Sequence, residues 1–123
     1  MTTQEVANRY YELIQRGQSE TILNELYSPD IISLEPENDS QVPLKTVGIE
    51  DCKQKERQFG ELIEEMHSGF CNPPIVSNYH FACSMGMDVT YKGRERRQKD
   101  QIGVFEVENG KIIKEQYFYD DFK

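Results

Sequence analysis

Glu35 is the residue best placed for chemistry in this sequence. It stands between Leu34 and Pro36, at the end of a short apolar run. A carboxylate there loses part of its hydration, which makes it a better base for taking a proton from carbon. The bland alternative is an exposed glutamate at a strand end. Tyr10 is its natural complement: it falls on the apolar stripe of an N-terminal helix, and a phenol can stabilise a developing enolate. The alternative there is a core tyrosine whose hydroxyl is simply satisfied. Asp120 and Asp121 close an aromatic run near the C-terminus. Asp120 reads equally as the rim of a cavity or as an acidic chain end. Asp88 shares a strand face with His80, Ser84 and Gly86, which favours a solvated or interfacial role over catalysis.

Other chemistries lack their residues. His67 has no second ligand at helical spacing, and no HExxH or His/Cys set occurs, so no metal is expected. Gly86, Gly93 and Gly103 are isolated, so no phosphate-cradling loop forms and no cofactor is expected. Arg94, Arg96, Arg97 and Lys99 form a small basic cluster in an acidic chain. It reads as a solvated strand face, with a partner subunit's acids as the alternative.

The elements that must position these residues follow from periodicity. Thr2 and Glu5 make a capping box, after which Val6, Tyr10, Leu13 and Ile14 share one helical face and Gly17 closes the helix. Ser19 caps a second helix that Pro29 ends, and Ile31–Leu34 reads as a strand. Residues 37–47 read as a polar loop. A third helix begins near Ile49, with Cys52, Phe59, Ile63 and Met66 on its stripe, Lys55 on its charged face, and an end expected at Gly69. A long strand is expected from Ile75 to Tyr91, its odd positions large and apolar and packed on the helices. Asn109-Gly110 between two β-rich runs predicts a hairpin, because both residues tolerate the positive φ of a type I′ turn. Helices followed by antiparallel strands predict one α+β domain over residues 1–123: a curved, mainly antiparallel sheet covered by three helices, with a small-molecule site in its mouth.

Bulk properties narrow the partners. The 123 residues carry a net charge of −8, which repels nucleic acid and anionic membrane. No apolar run approaches the roughly 18 residues of a membrane helix. The N-terminal residues lack a basic and an apolar region, so no signal peptide is expected. Cys52, Cys71 and Cys83 include no CxxC and read as reduced thiols of a cytoplasmic protein.

Two segments carry a resemblance. Arg9–Gly17 followed by Leu26-Tyr27-Ser28-Pro29-Asp30 and Leu34-Glu35-Pro36 resembles the opening of nuclear-transport-factor-2-like proteins, among them ketosteroid isomerases and SnoaL-like polyketide cyclases. The hairpin from Gly103 to Asp120 is similar to the last hairpin of SnoaL-like proteins and of limonene-epoxide-hydrolase relatives. With Ser33-Leu34-Glu35, His67-Ser68, His80-Phe81-Ala82 and Glu115–Tyr119, the chain looks closest to a SnoaL-like branch of this cystatin-like fold. The resemblance implies Tyr10 as oxyanion donor and Glu35 as general base, with Asp120 and Asp88 matching the epoxide hydrolases' carboxylates. The isomerases' second donor falls near Gln101, and the hydrolases' arginine is Gly86 here, so neither set is complete. The expected pocket comprises Glu35 and Tyr10 with Gln101, Asp120, Phe118, Phe59, Lys55 and His67. Its expected ligand is small and mostly apolar, and the reaction an isomerisation, cyclisation or dehydration of a carbonyl compound. A non-catalytic binding or dimerisation module is the rival, and epoxide hydrolysis comes third. A homodimer through the exposed sheet face is expected.

Overall fold

A computed structural model describes residues 1–123. Helix α1 (Thr3–Gln15) starts from the capping box: Thr2 Oγ1 accepts from the Glu5 amide at 3.1 Å and Glu5 Oε1 from the Thr2 amide at 2.9 Å. Gly17, at φ 67°, ends it, and the Gln18 amide reaches back to the Leu13 carbonyl at 3.0 Å. Then come α2 (Ser19–Leu26), β1 (Tyr27–Leu34), β2 (Lys45–Val47), α3 (Ile49–Leu62), β3 (Ile63–Cys71), β4 (Ile75–Val76), β5 (His80–Tyr91), β6 (Arg97–Glu108) and β7 (Lys111–Phe118).

The strands form one sheet in the order β2-β1-β7-β6-β5-β3, with β4 paired to β5. All neighbours are antiparallel except β1 and β7, which run parallel. The result is the expected α+β cone, with helices over the concave face. The core is the inner side of β5 and β6 against α1. Phe81 stacks on Phe105 at 4.7 Å between ring centres, and Tyr10 packs against both, at 5.5 and 4.7 Å. Asn109 and Gly110 take φ 51° and 75°, as the β6–β7 turn requires. Within β5 the odd positions Phe81, Cys83, Met85, Val89 and Tyr91 are buried, so the alternation holds there, whereas Ile75 and Tyr79, ahead of β5, are exposed rather than packed on the helices.

Three elements depart from the sequence expectation. The third helix stops at Leu62, and residues 63–71 form β3 instead of two more turns. Ile63 and Met66 fit a helical stripe, but the open edge of β5 offers this segment a ladder from Tyr91 to Met85. Satisfying those backbone groups outweighs a helical pattern that no cap supports. Secondly, Ile75 to Tyr91 is a tight hairpin rather than one strand: Ile75 pairs with Ala82 and Val76 with Phe81, and Ser77–Tyr79 turn between them. Thirdly, the polar loop is shorter than expected, because Lys45–Val47 pairs with β1.

Two bulges set which side chains face inward. On β7, Val107 pairs with Ile112 but Glu106 with Lys114, so Ile113 is extra. The extra residue flips the side-chain parity beyond it. Ile112, Glu115 and Tyr117 therefore point toward the core side, while Phe118 faces outward opposite Ile102. On β1 the register also slips between Tyr27 and Ile32. Ile31 and Ser33 are fully buried, and the alternation carries Glu35 inward just beyond the strand.

Candidate functional site

A cavity of about 220 Å³ lies between α2, α3 and the concave face of the sheet. Leu23, Cys52 and Phe59 line its helical side, and Tyr27, Gln101, Glu115 and Tyr117 its sheet side. Its deepest polar group is Glu115, only 6% exposed. Glu115 Oε1 accepts from the Tyr27 hydroxyl and from the Tyr117 hydroxyl at 2.7 Å, and Oε2 accepts from Ser33 Oγ at 2.7 Å. A buried carboxylate needs such donors, because each lost one leaves charge uncompensated in a poor dielectric. Burial, and then the charge of Glu115, pushes both phenols well above their usual range, which keeps them as donors.

The network continues toward the mouth. Lys55 Nζ donates to Ser33 Oγ at 2.8 Å and to Glu35 Oε2 at 2.7 Å. Glu35 Oε1 accepts from the Tyr119 hydroxyl at 2.8 Å. The side chains of Lys55 and Glu35 are 13% and 8% exposed, so this pair is largely withdrawn from water while lining the cavity. Burial, followed by the Glu35 charge, raises Tyr119 too, so its proton stays on the hydroxyl that holds Glu35. One continuous set of hydrogen bonds thus joins Glu35, Lys55, Ser33, Glu115 and Tyr27.

The mouth is held by a second set of charges. Asp121, its side chain 1% exposed, accepts from Lys99 at 3.0 Å, from Arg97 at 3.2 Å and from the Asp39 amide at 3.1 Å. Arg97 also meets Asp39 at 2.9 Å, and Arg94 bonds the Asp39 carbonyl. Burial acts to raise the Asp39 carboxyl, but the Arg97 and Arg94 guanidiniums prevail and hold it at about 2. Asn38 shapes this loop by accepting from the Ser40 and Val42 amides at 3.2 and 2.9 Å. The loop brings Val42 into the cavity wall beside Lys99 and Tyr119. Lys99 Nζ lies 4.4 Å from the centre of the Tyr119 ring.

Of the residues expected at the site, Glu35, Lys55, Phe59 and Gln101 line the cavity. Tyr10 does not. Its ring belongs to the aromatic core with Phe81 and Phe105, and burial, then Glu115, raises its phenol well above the usual range. His67 sits on β3, away from the wall, bonded to Thr90 Oγ1 at 2.7 Å and Glu65 at 2.9 Å. Its displacement follows from the early end of α3. Phe118 is outside because of the Ile113 bulge. Asp120 points to solvent and meets Lys123 at 3.5 Å, while its neighbour Asp121 turns in. Asp88 faces outward to Arg96 at 2.6 Å, so neither of the hydrolase-like carboxylates faces the cavity. The basic cluster is not a free solvated face: Arg94, Arg96, Arg97 and Lys99 all meet carboxylates of this chain.

Sequence reasoning missed Ser33, Glu115, Tyr117, Tyr119 and Asp121. Tyr117 and Tyr119 alternate with Glu115, a signal that was present once the inward parity of β7 was known. No group of three or more His, Cys, Asp or Glu side chains stands at metal-binding spacing. No helix is long and apolar enough to cross a membrane.

Comparison with known proteins adds a family. The model of the SnoaL-like domain matches residues 1–119. A protein assigned provisionally as a SnoaL-like polyketide cyclase, from Mesorhizobium loti, is 32% identical, with a TM-score of 0.89 over 97% of this chain and 100% of that one. A protein of unknown function with a cystatin-like fold, from Xanthomonas campestris, is 21% identical, with a TM-score of 0.81 over 98% and 92%. TerC, co-crystallised with polyporic acid, shares the fold at 16% identity, with a TM-score of 0.77 over 96% and 91%. No functionally curated protein matches the chain.

Proposed function

The chain belongs to the SnoaL-like domain family, and on that premise we propose that its cavity binds a small, mostly apolar carbonyl compound and moves a proton on it. The observation that carries this reading is the paired Glu35 and Lys55 in the cavity wall, 2.7 Å apart and anchored from behind by Ser33 and Tyr119. Glu35 takes a proton from the carbon next to the carbonyl. The C–H bond breaks, an O–H bond forms on Glu35, and the electron pair moves to the carbonyl oxygen. Lys55 and the Gln101 amide lie in the same wall to stabilise that oxyanion. Return of the proton to another carbon gives an isomer, and attack of the enolate on a second carbonyl closes a ring. With Tyr10 in the core, the oxyanion donor of this reading is Lys55 rather than a tyrosine of α1.

The size of the cavity supports a one-ring substrate. A void of about 150 Å³ takes benzene, so about 220 Å³ takes a ring with a short substituent. The test is acetophenone in heavy water, followed by NMR. Wild-type protein is expected to accelerate α-deuterium exchange, and Glu35→Gln to lower that rate at least about a hundredfold, the usual worth of a general base. Unchanged exchange in the variant sinks the assignment of Glu35.

A non-catalytic binding module is the second reading. It is favoured by the pairing of both Glu35 oxygens, one with Lys55 and one with Tyr119. Binding of acetophenone without exchange above buffer would select it. Epoxide opening has no support at Asp88 and Asp120, which lie outside the wall. On the outer sheet face Phe70, Ile102 and Phe118 remain about half exposed, which supports a homodimer through that face. Light scattering of Ile102→Glu should then report a monomer, and an unchanged mass removes the idea. The three free thiols suit a cytoplasmic setting.

A further inference from the structure

We infer that the substrate is bipartite: its carbonyl head fills the Glu35 cavity, and an unbranched apolar tail lies in a second compartment beside it. This rests on the carbonyl reading above and adds the shape and chemistry of the rest of the molecule. The second compartment, of about 360 Å³, opens between the end of α1 and the strands β3, β5 and β6. Met87, Lys99 and Gln101 line both spaces and form their common wall.

The chemistry of the second lining is apolar. Ile14, Met66, Cys71, Met85 and Met87 supply side chains, and Gly17 and Gly69 leave bare backbone. Of its three polar side chains, Gln101 stands on the boundary with the first cavity and the other two have partners elsewhere. The Gln15 amide donates to the Cys71 carbonyl at 2.8 Å, and the Lys99 ammonium is held by Asp121 at 3.0 Å. Such a surface gains from covering apolar atoms and offers no fixed charge to a second polar head. Three methionines in one wall suit a chain whose bends vary, since thioether side chains repack at low cost. Met87 stands on the boundary between the two spaces, where its flexible side chain can adapt to one molecule occupying both.

Gly69 makes this testable. It pairs with Met87 across the β3–β5 ladder, and its φ is not in the left-handed region. A Cβ added there meets only the Gly86 carbonyl oxygen, at 3.5 Å, an ordinary contact. A side chain at 69 therefore starts from an unstrained Cβ in the wall of the compartment.

The experiment measures Kd for acetophenone, butyrophenone, hexanophenone and octanophenone by calorimetry on the full chain. A buried tail adds about three- to fourfold in affinity per methylene. Octanophenone should thus bind at least about a hundredfold more tightly than acetophenone, and Gly69→Val should reduce that ratio at least tenfold. Gly69→Ala, a milder change, should reduce it two- to threefold, and circular dichroism reports whether either variant is folded. A rise that stops at butyrophenone overturns the inference, as does absence of binding by the whole series. A rise that survives both variants places the tails elsewhere and overturns it too. The deuterium-exchange test is separate: chain-length dependence without exchange keeps the compartment and removes the acid–base reading, and exchange with a flat series does the reverse.

Discussion

Replacing Glu115 by Gln tests the polar floor of the cavity most directly. The carboxylate accepts three hydroxyl protons, from Tyr27, Ser33 and Tyr117, at a position only 6% exposed. In the variant, the amide oxygen still accepts from both tyrosines, but without full charge, which weakens each bond by about 1 kcal/mol. The amide nitrogen then faces Ser33 Oγ. Ser33 already accepts from Lys55 at 2.8 Å. It would accept from the amide as well, and its own proton would lose its acceptor, at a cost of about 1–3 kcal/mol. Relief from burying a negative charge offsets part of this. The net loss is then about 2–3 kcal/mol. For a chain of this length that corresponds to a drop of roughly 10 °C in Tm. Urea unfolding followed by circular dichroism gives the number, with an unchanged slope showing that the variant unfolds from a comparable compact state. A loss below about 0.5 kcal/mol, or a gain, would mean that the three hydroxyls do not depend on this carboxylate, and the account of the floor would fall.

The Asp39 carboxyl, held at about 2 against an ordinary 3.8, binds protons less readily in the folded chain than in the unfolded one. Its ties to Arg97 and Arg94 therefore contribute fully above about pH 4 and vanish as the pH falls toward 2, a loss of about 1 kcal/mol once solvent screening is allowed for. Carbon-13 titration should place the Asp39 midpoint near 2, rising toward 3.8 in Arg97→Gln; an unshifted midpoint in that variant contradicts the assigned partner. Thiol labelling at pH 8 should modify Cys71 alone in the native chain. Its contact with Cys83 lowers it, while burial raises Cys52 to about 11, and the same Cys71 contact followed by burial raises Cys83 further still. Rapid labelling of Cys83 without denaturant would contradict its burial.

Much of the fold is written in local signals. Thr2 with Glu5, Gly17, and Asn109 with Gly110 each specify their own turn or cap by short-range chemistry. Glu35 is legible only in part: its setting between Leu34 and Pro36 at a strand end singles it out, but the same setting fits an exposed glutamate. What escaped is non-local. Segment 63–71 carries a helical stripe and becomes a strand because β5 has an unpaired edge, a fact about another part of the chain. Glu115 is hidden by one extra residue at Ile113, since counting by twos from Ile112 sends it to solvent. Tyr10 shows the converse limit. Its position on the apolar face of α1 is plain in the sequence, yet a core ring and a cavity hydroxyl present the same pattern. What decides between them is that Tyr10 packs on both Phe81 and Phe105 and does not line the cavity.

The parallel pairing of β1 with β7 has a consequence for how the chain is made. Ser33 and Glu115 are 82 residues apart in sequence. Closing a loop of that length is entropically expensive, and contacts of such separation slow folding. During synthesis the helices and β1 leave the ribosome long before β7 does. Until then the parallel edge of β1 is uncovered, and Tyr27 and Ser33 lack the carboxylate they will donate to. The cavity is therefore among the last parts of the molecule to acquire its shape. Any event that delays or removes β7 leaves a chain with an adhesive β1 edge and an unformed cavity floor.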